Sequence, residues 1–403
     1  MKLASFLAME GKAMRGMVIL AALLLGLAGP ALAQPARPDS LWNVSDERLS
    51  LPLAKLSAPR RAAGAEYFET MEFSHKGEGV DSAIKYRTAD RQIFATLYVY
   101  YPSLAHTGVQ AIATDHAIRG SSNPPTARPL GTAIAAAGGQ PGVAVTADYD
   151  HYLGDHFSKA AFVKAGRWML KLRVSGPQER SGEVTAVMTA LLDGLRFEGE
   201  TRPRPAAPIS ARECGPADRA DARALSDDDL VPANAMLATF DPAGQPAANA
   251  PAGDQTPLLA RIGRDWCRTT LRVGDDEIAV LQATGGERRD GLGGDSALLV
   301  LFSDAGGALE VVRLAKEKKY LLLRHDIAEV EVLGSYDGLP SLAQIGRLFS
   351  GSPTRVRARV RLKPNGGTEI NLPTPPAKAP DRTSRAAGSD SGKDIEPAAL
   401  AAE

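Results

Sequence analysis

One short stretch, DYDHYLGDH, holds the densest group of residues capable of acid–base or metal chemistry. Its candidates for a metal-dependent or hydrolytic site are Asp150, His151, Asp155 and His156, because histidine and carboxylate groups act as metal ligands and as general acids or bases. The offset between the two histidines points them apart on a helix and on a strand alike, so only a folded loop would join them. The spacing matches no established zinc signature, and we predict no bound metal and no cofactor. A polar turn between two strands is the alternative interpretation.

A second candidate site is a row of arginines at every second position of the stretch TRVRARVRLK. They are Arg355, Arg357, Arg359 and Arg361. A strand rises about 3.3 Å per residue, so these guanidinium groups would lie about 7 Å apart on one face, where phosphates or sulfates along an anionic polymer could contact them. The solvent face of a half-exposed strand shows the same alternation, and only Glu369 on the next predicted strand offers a counter-charge. A polyanion site, a solvent-exposed face and a protein interface all stay open.

Five tyrosines cluster in sequence around the first predicted sheet. Tyrosine has an apolar ring with a polar tip, so these residues would either border a ligand cleft or complete the edge of a core. They are Tyr98, Tyr100, Tyr101, Tyr149 and Tyr152.

The N-terminal residues have the pattern of a secretory signal. Lys12 and Arg15 precede an uncharged apolar run, and Ala31-Leu32-Ala33 provides small residues at the positions that signal peptidase reads. We predict a signal peptide over residues 1–33 and a polar connector over 34–59. The apolar run is shorter than the roughly 20 residues of a membrane span. We therefore expect a periplasmic or secreted protein with no membrane span after the signal is removed.

The chain has two cysteines, Cys214 and Cys267, and both lie in the predicted exported part. In an oxidising compartment such a pair usually forms one disulfide bond. The bond would close a loop of roughly 50 residues and contribute about 4 kcal/mol in the chain-entropy model.

Hydrophobic periodicity divides the chain into two predicted domains. The first, residues 60–198, has strand patterns and two helical patterns, over 107–118 and 181–194, and its Pro-, Gly- and Ala-rich stretch 121–142 is predicted to be a loop. A Pro-rich linker follows at 199–211. The second domain, 212–372, has repeated strand patterns and one short helix over 340–349, and 373–403 is predicted to be a disordered tail. This order predicts an α+β fold, an antiparallel sheet with packed helices followed by a mainly β domain.

The strands LYVYYP and GRWMLKLRVSGP, followed by an amphipathic helix, resemble the α/β sandwich of the PsbP and Mog1-like proteins. The resemblance covers about residues 60–198. It implies an antiparallel sheet covered by helices, and a binding or assembly role rather than one shared chemistry. No catalytic motif accompanies it.

Composition and the absence of motifs restrict the function. The chain has 47 basic and 47 acidic residues, so no global charge favours nucleic acid as a partner. It contains no phosphate-binding loop and no G-x-S-x-G nucleophile motif. We therefore expect an exported, non-enzymatic binding or adaptor protein whose partner is an envelope protein or an anionic polymer. The alternatives are a metal-dependent or hydrolytic periplasmic enzyme centred on residues 150–156, and a carrier that holds a small ligand beside the tyrosines.

Overall fold

A computed structural model of the protein describes residues 41–74, 78–120, 126–215, 219–225, 265–284, 295–314, 318–350, 358–364 and 367–371. The predicted signal peptide and the predicted C-terminal tail lie outside the described residues.

The part of the chain before the Pro-rich segment contains twelve described strands and two α-helices, α1 (Thr107–Arg119) and α2 (Ser181–Gly194). The strands are β1 (Asn43–Val44), β2 (Arg48–Leu51), β3 (Leu56–Pro59), β4 (Arg61–Ala62), β5 (Ala65–Glu72), β6 (Asp81–Thr88), β7 (Phe94–Tyr100), β8 (Arg128–Ala137), β9 (Gln140–Tyr152), β10 (His156–Ala165), β11 (Trp168–Pro177) and β12 (Arg196–Phe197).

The part after the Pro-rich segment contains nine described strands and one helix, α3 (Leu342–Ser350). The strands are β13 (Ala211–Glu213), β14 (Trp266–Val273), β15 (Asp276–Ala283), β16 (Asp295–Leu301), β17 (Ala308–Leu314), β18 (Lys319–Asp326), β19 (Glu329–Tyr336), β20 (Ala358–Leu362) and β21 (Thr368–Asn371).

These strands form three sheets. A small sheet has the order β1-β2-β3-β12, the central sheet has the order β4-β5-β6-β7-β11-β10-β9-β8, and the C-terminal sheet runs from β13 to β21 in sequence order. Neighbouring strands are antiparallel except β13 and β14, which are parallel. The predicted α+β class, with antiparallel sheets and one short helix in the C-terminal half, is confirmed.

Helix α2 follows the predicted amphipathic pattern. Its buried residues Val184, Val187, Met188, Leu191 and Leu192 recur at helical spacing and belong to one core with the central sheet. This core continues into the C-terminal sheet without a break.

Helix α1 is different, because it is buried on two sides. Val109 and Ala113 pack with residues of the C-terminal sheet, whereas Ala111 and Ile118 pack with the central sheet. His106 caps its N-terminus, since Nδ1 accepts hydrogen bonds from the backbone N–H groups of residues 108 and 109. Burial lowers the pKa of His106 to about 3, so the ring stays neutral and Nδ1 remains an acceptor.

The predicted loop 121–142 is wrong over most of its described part, because it contains β8 and the start of β9. Strand β8 lies at the edge of the central sheet and pairs with β9 alone among the strands that the structure describes. Its first seven residues are exposed, so the strand lacks the alternating burial on which a sequence pattern depends. Within the predicted connector 34–59, the structure has the short strands β1 to β3.

The Pro-rich segment runs along the central sheet and helix α1. The backbone N–H of Arg204 donates to the carbonyl of Lys164, and the N–H of Ala207 donates to Oγ1 of Thr107. The segment then leads into strand β13. The predicted disulfide bond, which lies beside this strand, is confirmed. Cys214 and Cys267 are bonded, with their Cα atoms 4.7 Å apart and a sequence separation of 53.

Candidate functional site

The four residues of the DYDHYLGDH stretch surround a tight hairpin between β9 and β10. Each histidine ring lies beside the carboxylate that precedes it, His151 Nε2 at 3.4 Å from Asp150 and His156 Nδ1 at 2.5 Å from Asp155. The described residues contain no group of three or more histidine, cysteine and acidic side chains placed to hold a metal ion. The hairpin therefore does not bring these four residues together as a ligand set.

The described half of the arginine row is paired with carboxylates. Arg355 and Arg357 lie outside the described residues. Arg359 donates to Glu331 at 2.5 Å and lies 3.2 Å from Glu329, while Arg361 donates to Glu78. Glu369, the counter-charge expected from the sequence, pairs instead with Lys363 at 3.4 Å. These partners reduce the positive charge that the alternating pattern predicted for this face.

The tyrosines separate into two groups. Tyr100, Tyr101 and Tyr149 are buried, whereas Tyr98 and Tyr152 are partly buried and lie under the cations of Lys171 and Arg173. Only Tyr149 of these five is among the residues that line the cavity described next.

A cavity of about 300 Å³ lies where helix α1, strands β8 and β9, residues 208–211 and strand β14 meet. We call it the seam cavity. Most of its wall is apolar, and its charged lining residues are Asp115, Arg119 and Arg268. A mostly apolar pocket with a few polar groups is the usual form of a small-molecule site.

One carboxylate holds both guanidinium groups in place. Oδ2 of Asp115 accepts a hydrogen bond from Arg119 at 2.7 Å and one from Arg268 at 2.8 Å. The charged lining residues thus carry two positive charges against one negative charge, and a single positive charge remains.

Three residues that line the seam cavity each have a buried donor atom with no hydrogen-bond partner among the described residues. These atoms are Nε of Arg119, Nη2 of Arg268 and the hydroxyl of Tyr149. Tyr149 is only 1% exposed, and burial followed by the nearby charge of Asp115 raises the pKa of its hydroxyl, with three arginines acting in the opposite direction. The hydroxyl therefore stays protonated near neutral pH. A buried donor without an acceptor costs about 1 to 3 kcal/mol, so an acceptor that reached these groups would be stabilised.

Comparison with known proteins adds a weak likeness of fold. No family model matches the chain, and no curated protein matches it. Among solved structures, the chain is similar to the solution structure of cyanobacterial PsbP (CyanoP) from Synechocystis sp. PCC 6803, with 12% identity over 36% of this chain and 94% of that chain, and a TM-score of 0.25. The resemblance to PsbP is a weak one at the level of fold, and nothing about function rests on it. Within the described residues, no helix combines the length and apolar character needed to span a bilayer.

Sequence reasoning did not find the seam cavity, although part of its signal was visible. Asp115 and Arg119 have the spacing of a helical ion pair. Arg268 is 153 residues from Asp115 in the sequence and reaches it only because β14 packs beside helix α1. A contact of this range leaves no local pattern.

Gly108 lies on the cavity wall at a point where a side chain has no room. A Cβ at this residue would lie 2.5 Å from the carbonyl oxygen of Ala207 and 2.7 Å from the nitrogen of Ile209. We expect Gly108→Ala to push residues 207–209 outward and to lower the free energy of unfolding by about 1 to 3 kcal/mol. Chemical denaturation would measure this change.

Gly182 provides the matched control, because it occupies the second position of α2 as Gly108 does in α1. No atom lies within 4 Å of a Cβ at Gly182. Gly182→Ala should therefore leave stability unchanged or raise it by up to about 1 kcal/mol. Equal stability of the two variants would contradict the close packing at Gly108.

Asp81, at the start of β6, makes stability depend on pH. Burial raises the pKa of Asp81 from 3.8 to about 7, against the opposing charge of Lys171 and with Glu72, Asp326 and Asp304 raising it further. Between these two pKa values the folded state binds more protons than the unfolded state, so this residue lowers stability as the pH rises from about 4 to 7.

We expect Asp81→Asn to remove this dependence. The variant should gain about 1 to 3 kcal/mol of unfolding free energy relative to the native protein between pH 4.5 and pH 8. Thermal unfolding of both proteins across this range isolates the residue, because the other titrating groups cancel in the difference. Parallel curves would show that Asp81 titrates normally.

Proposed function

We propose that this protein is an exported binding protein whose seam cavity holds a small aliphatic monocarboxylate. The observation that carries the proposal is that three residues lining a mostly apolar cavity, Arg119, Arg268 and Tyr149, each have a buried donor atom without a partner among the described residues. A carboxylate offers two oxygens to such donors and forms charge-assisted hydrogen bonds with arginine.

The net charge of the lining favours one negative charge. Asp115 already neutralises one of the two arginines. A monocarboxylate would balance the remaining positive charge, whereas a phosphate dianion or a polyanion would bring excess charge next to Asp115.

The size and the apolar wall favour a short hydrocarbon body. A volume of about 300 Å³ corresponds to about ten water molecules, which suits a small organic molecule rather than a polymer segment. Ala111, Ile112, Val145, Ala147 and Ile209 provide the apolar surface against which alkyl carbons would pack.

The disulfide supports an exported location. A bond between Cys214 and Cys267 is stable in oxidising compartments and rare in the bacterial cytosol. Together with the signal pattern over residues 1–33, it favours the periplasm or the exterior as the place where the ligand is met.

Calorimetric titration with butyrate and hexanoate tests the proposal, with butyramide and hexanamide as uncharged probes of the same shape. We expect the acids to bind and the amides to bind at least about tenfold more weakly, since a hydrogen bond to a charged group contributes about 1.5 to 3 kcal/mol. Arg268→Met should weaken acid binding about 10- to 100-fold. Equal binding of acids and amides, or no binding of either, would overturn the proposal.

Arg272→Met is the matched control, because Arg272 lies on the same strand but pairs with Glu277 at 2.9 Å and does not line the seam cavity. This variant should bind the acids as the native protein does. A loss equal to that of Arg268→Met would show that only the general charge of the strand matters.

A further inference from the structure

A second group of chemically competent residues lies at the junction of the central and C-terminal sheets, outside the seam cavity. Ser103 lies in the link between β7 and α1, His325 lies on β18 and Glu310 on β17. Oγ of Ser103 is 3.0 Å from Nδ1 of His325, and Nε2 of His325 is 2.7 Å from a carboxylate oxygen of Glu310. Hydroxyl, imidazole and carboxylate therefore form one continuous chain of hydrogen bonds.

The carboxylate fixes which nitrogen carries the proton. An ionised carboxylate only accepts hydrogen bonds, so an ionised Glu310 would accept a hydrogen bond from Nε2 of His325 and keep the ring proton on that nitrogen. In that tautomer Nδ1 is the unprotonated nitrogen and accepts a hydrogen bond from the hydroxyl of Ser103. This is the tautomer that a general base needs when it activates a serine.

The exposure of the three residues follows their roles in such a triad. Glu310 is fully buried and His325 is 3% exposed, whereas Ser103 is partly exposed. The acid and the base are thus shielded from water, while Ser103 lies closer to the surface than either. The imidazole is used in the opposite sense to the usual serine protease triad, in which Nε2 faces the serine and Nδ1 faces the carboxylate.

We propose that Ser103 is the nucleophile of an acyl-transfer site that hydrolyses small esters, with His325 as general base and Glu310 as the residue that orients it. The structure positions Ser103 through its backbone, since its N–H donates to the carbonyl of Asp326 at 3.1 Å. Residues 102 and 327 form a β-bridge beside this bond, so the link and strand β18 are held together where the hydroxyl meets the imidazole.

The reaction needs no co-reactant other than water. Oγ of Ser103 attacks the ester carbonyl carbon as its proton passes to Nδ1 of His325, the bond from the acyl carbon to the alcohol oxygen breaks, and the departing alcohol takes the proton. Water then adds to the carbonyl carbon of the acyl-serine and gives a proton to the same nitrogen. The bond from the acyl carbon to Oγ of Ser103 breaks, Oγ takes that proton, and a carboxylic acid leaves. Hydrolysis of a short aliphatic ester would release an acid of the class proposed for the seam cavity, but the two sites are argued from different residues.

A fluorophosphonate probe tests the proposal, because it forms a stable adduct only with an activated serine. We expect one adduct on the native protein by intact mass, mapped by peptide analysis to Ser103. Denatured protein should not react. Absence of an adduct on Ser103 in the folded native protein would overturn the proposal without any variant.

Two substitutions test the roles of the partners. His325→Gln and Glu310→Gln keep similar size and hydrogen-bonding capacity, and each should slow both adduct formation and hydrolysis of p-nitrophenyl acetate at least about 100-fold. An unchanged rate in a variant that remains folded would show that the triad only joins the sheets. Ser103→Ala should abolish the adduct while leaving hexanoate binding unchanged, so failure here and failure of the proposed carboxylate site are distinguishable.

Discussion

Replacing Asp304 by Asn is expected to lower the free energy of unfolding by about 3 kcal/mol, although the carboxylate itself is partly exposed. Its partner is the reason. Lys171 on β11 is only 4% exposed, and its Nζ donates to the carboxylate of Asp304 at 2.8 Å and to the backbone carbonyl of the same residue at 3.1 Å. Removing one partner of a buried ion pair leaves an uncompensated charge and costs about 3 to 5 kcal/mol.

Two neighbours keep the expected cost at the lower end of this range. The ring of Tyr98 lies 4.6 Å from Nζ of Lys171, and the charge of Lys171 also acts on Asp81. Burial acts to raise the pKa of Asp304, but the charge and hydrogen bond of Lys171 outweigh it, so the pKa is lowered and Asp304 is ionised at neutral pH.

Lys171→Met supplies the comparison. The side chain of Asp304 is 37% exposed, so without Lys171 its carboxylate is still hydrated. We expect this variant to lose less than half as much stability as Asp304→Asn in urea denaturation. Equal losses would contradict the assignment of the cost to the buried ammonium group.

Removing the disulfide is expected to lower the free energy of unfolding by about 4 kcal/mol. The bond closes a loop of 53 residues and so restricts the conformational entropy of the unfolded chain. The double variant Cys214→Ala and Cys267→Ala makes this change without adding a buried polar group. Denaturation of the native protein with and without dithiothreitol should show the same difference, and the double variant should not respond to the reductant. A loss below about 1 kcal/mol would show that the β13–β14 contact holds this edge without the bond.

The same substitution should weaken carboxylate binding. Cys267 directly precedes Arg268, and Ala211 of β13 lines the seam cavity. Strand β13 has three residues and, among the described strands, pairs with β14 alone, so the disulfide between Cys214 and Cys267 is a covalent restraint next to this wall.

Sequence patterns predicted those elements whose burial is periodic. Helix α2 has one apolar stripe, and strand β20 alternates between buried and more exposed residues, so their spacing was sufficient. The sequence did not predict strand β8, because its first seven residues are exposed and show no periodic burial. Its backbone pairing with β9 stabilises it instead.

The candidate sites were much harder to predict from the sequence than the fold. The residues of the DYDHYLGDH stretch are close in sequence, yet the hairpin pairs each histidine with its neighbouring carboxylate. Ser103 and His325 are 222 residues apart and meet only because the link after β7 pairs with the end of β18. Proximity of this kind depends on sheet packing, which local spacing does not encode.

Because helix α1 is buried between the two large sheets, its position determines how the chain would respond to truncation and to recombination between related genes. A fragment ending near residue 198 would keep the helix but expose Leu104, Val109 and Ala113, the side chains that the C-terminal sheet covers. The complementary fragment would expose Trp266 and Leu281 in turn. Each fragment alone would aggregate through this exposed apolar surface. If two related genes recombined within the Pro-rich segment, the hybrid protein would fold only where the residues on both buried sides of α1 were complementary to their new neighbours.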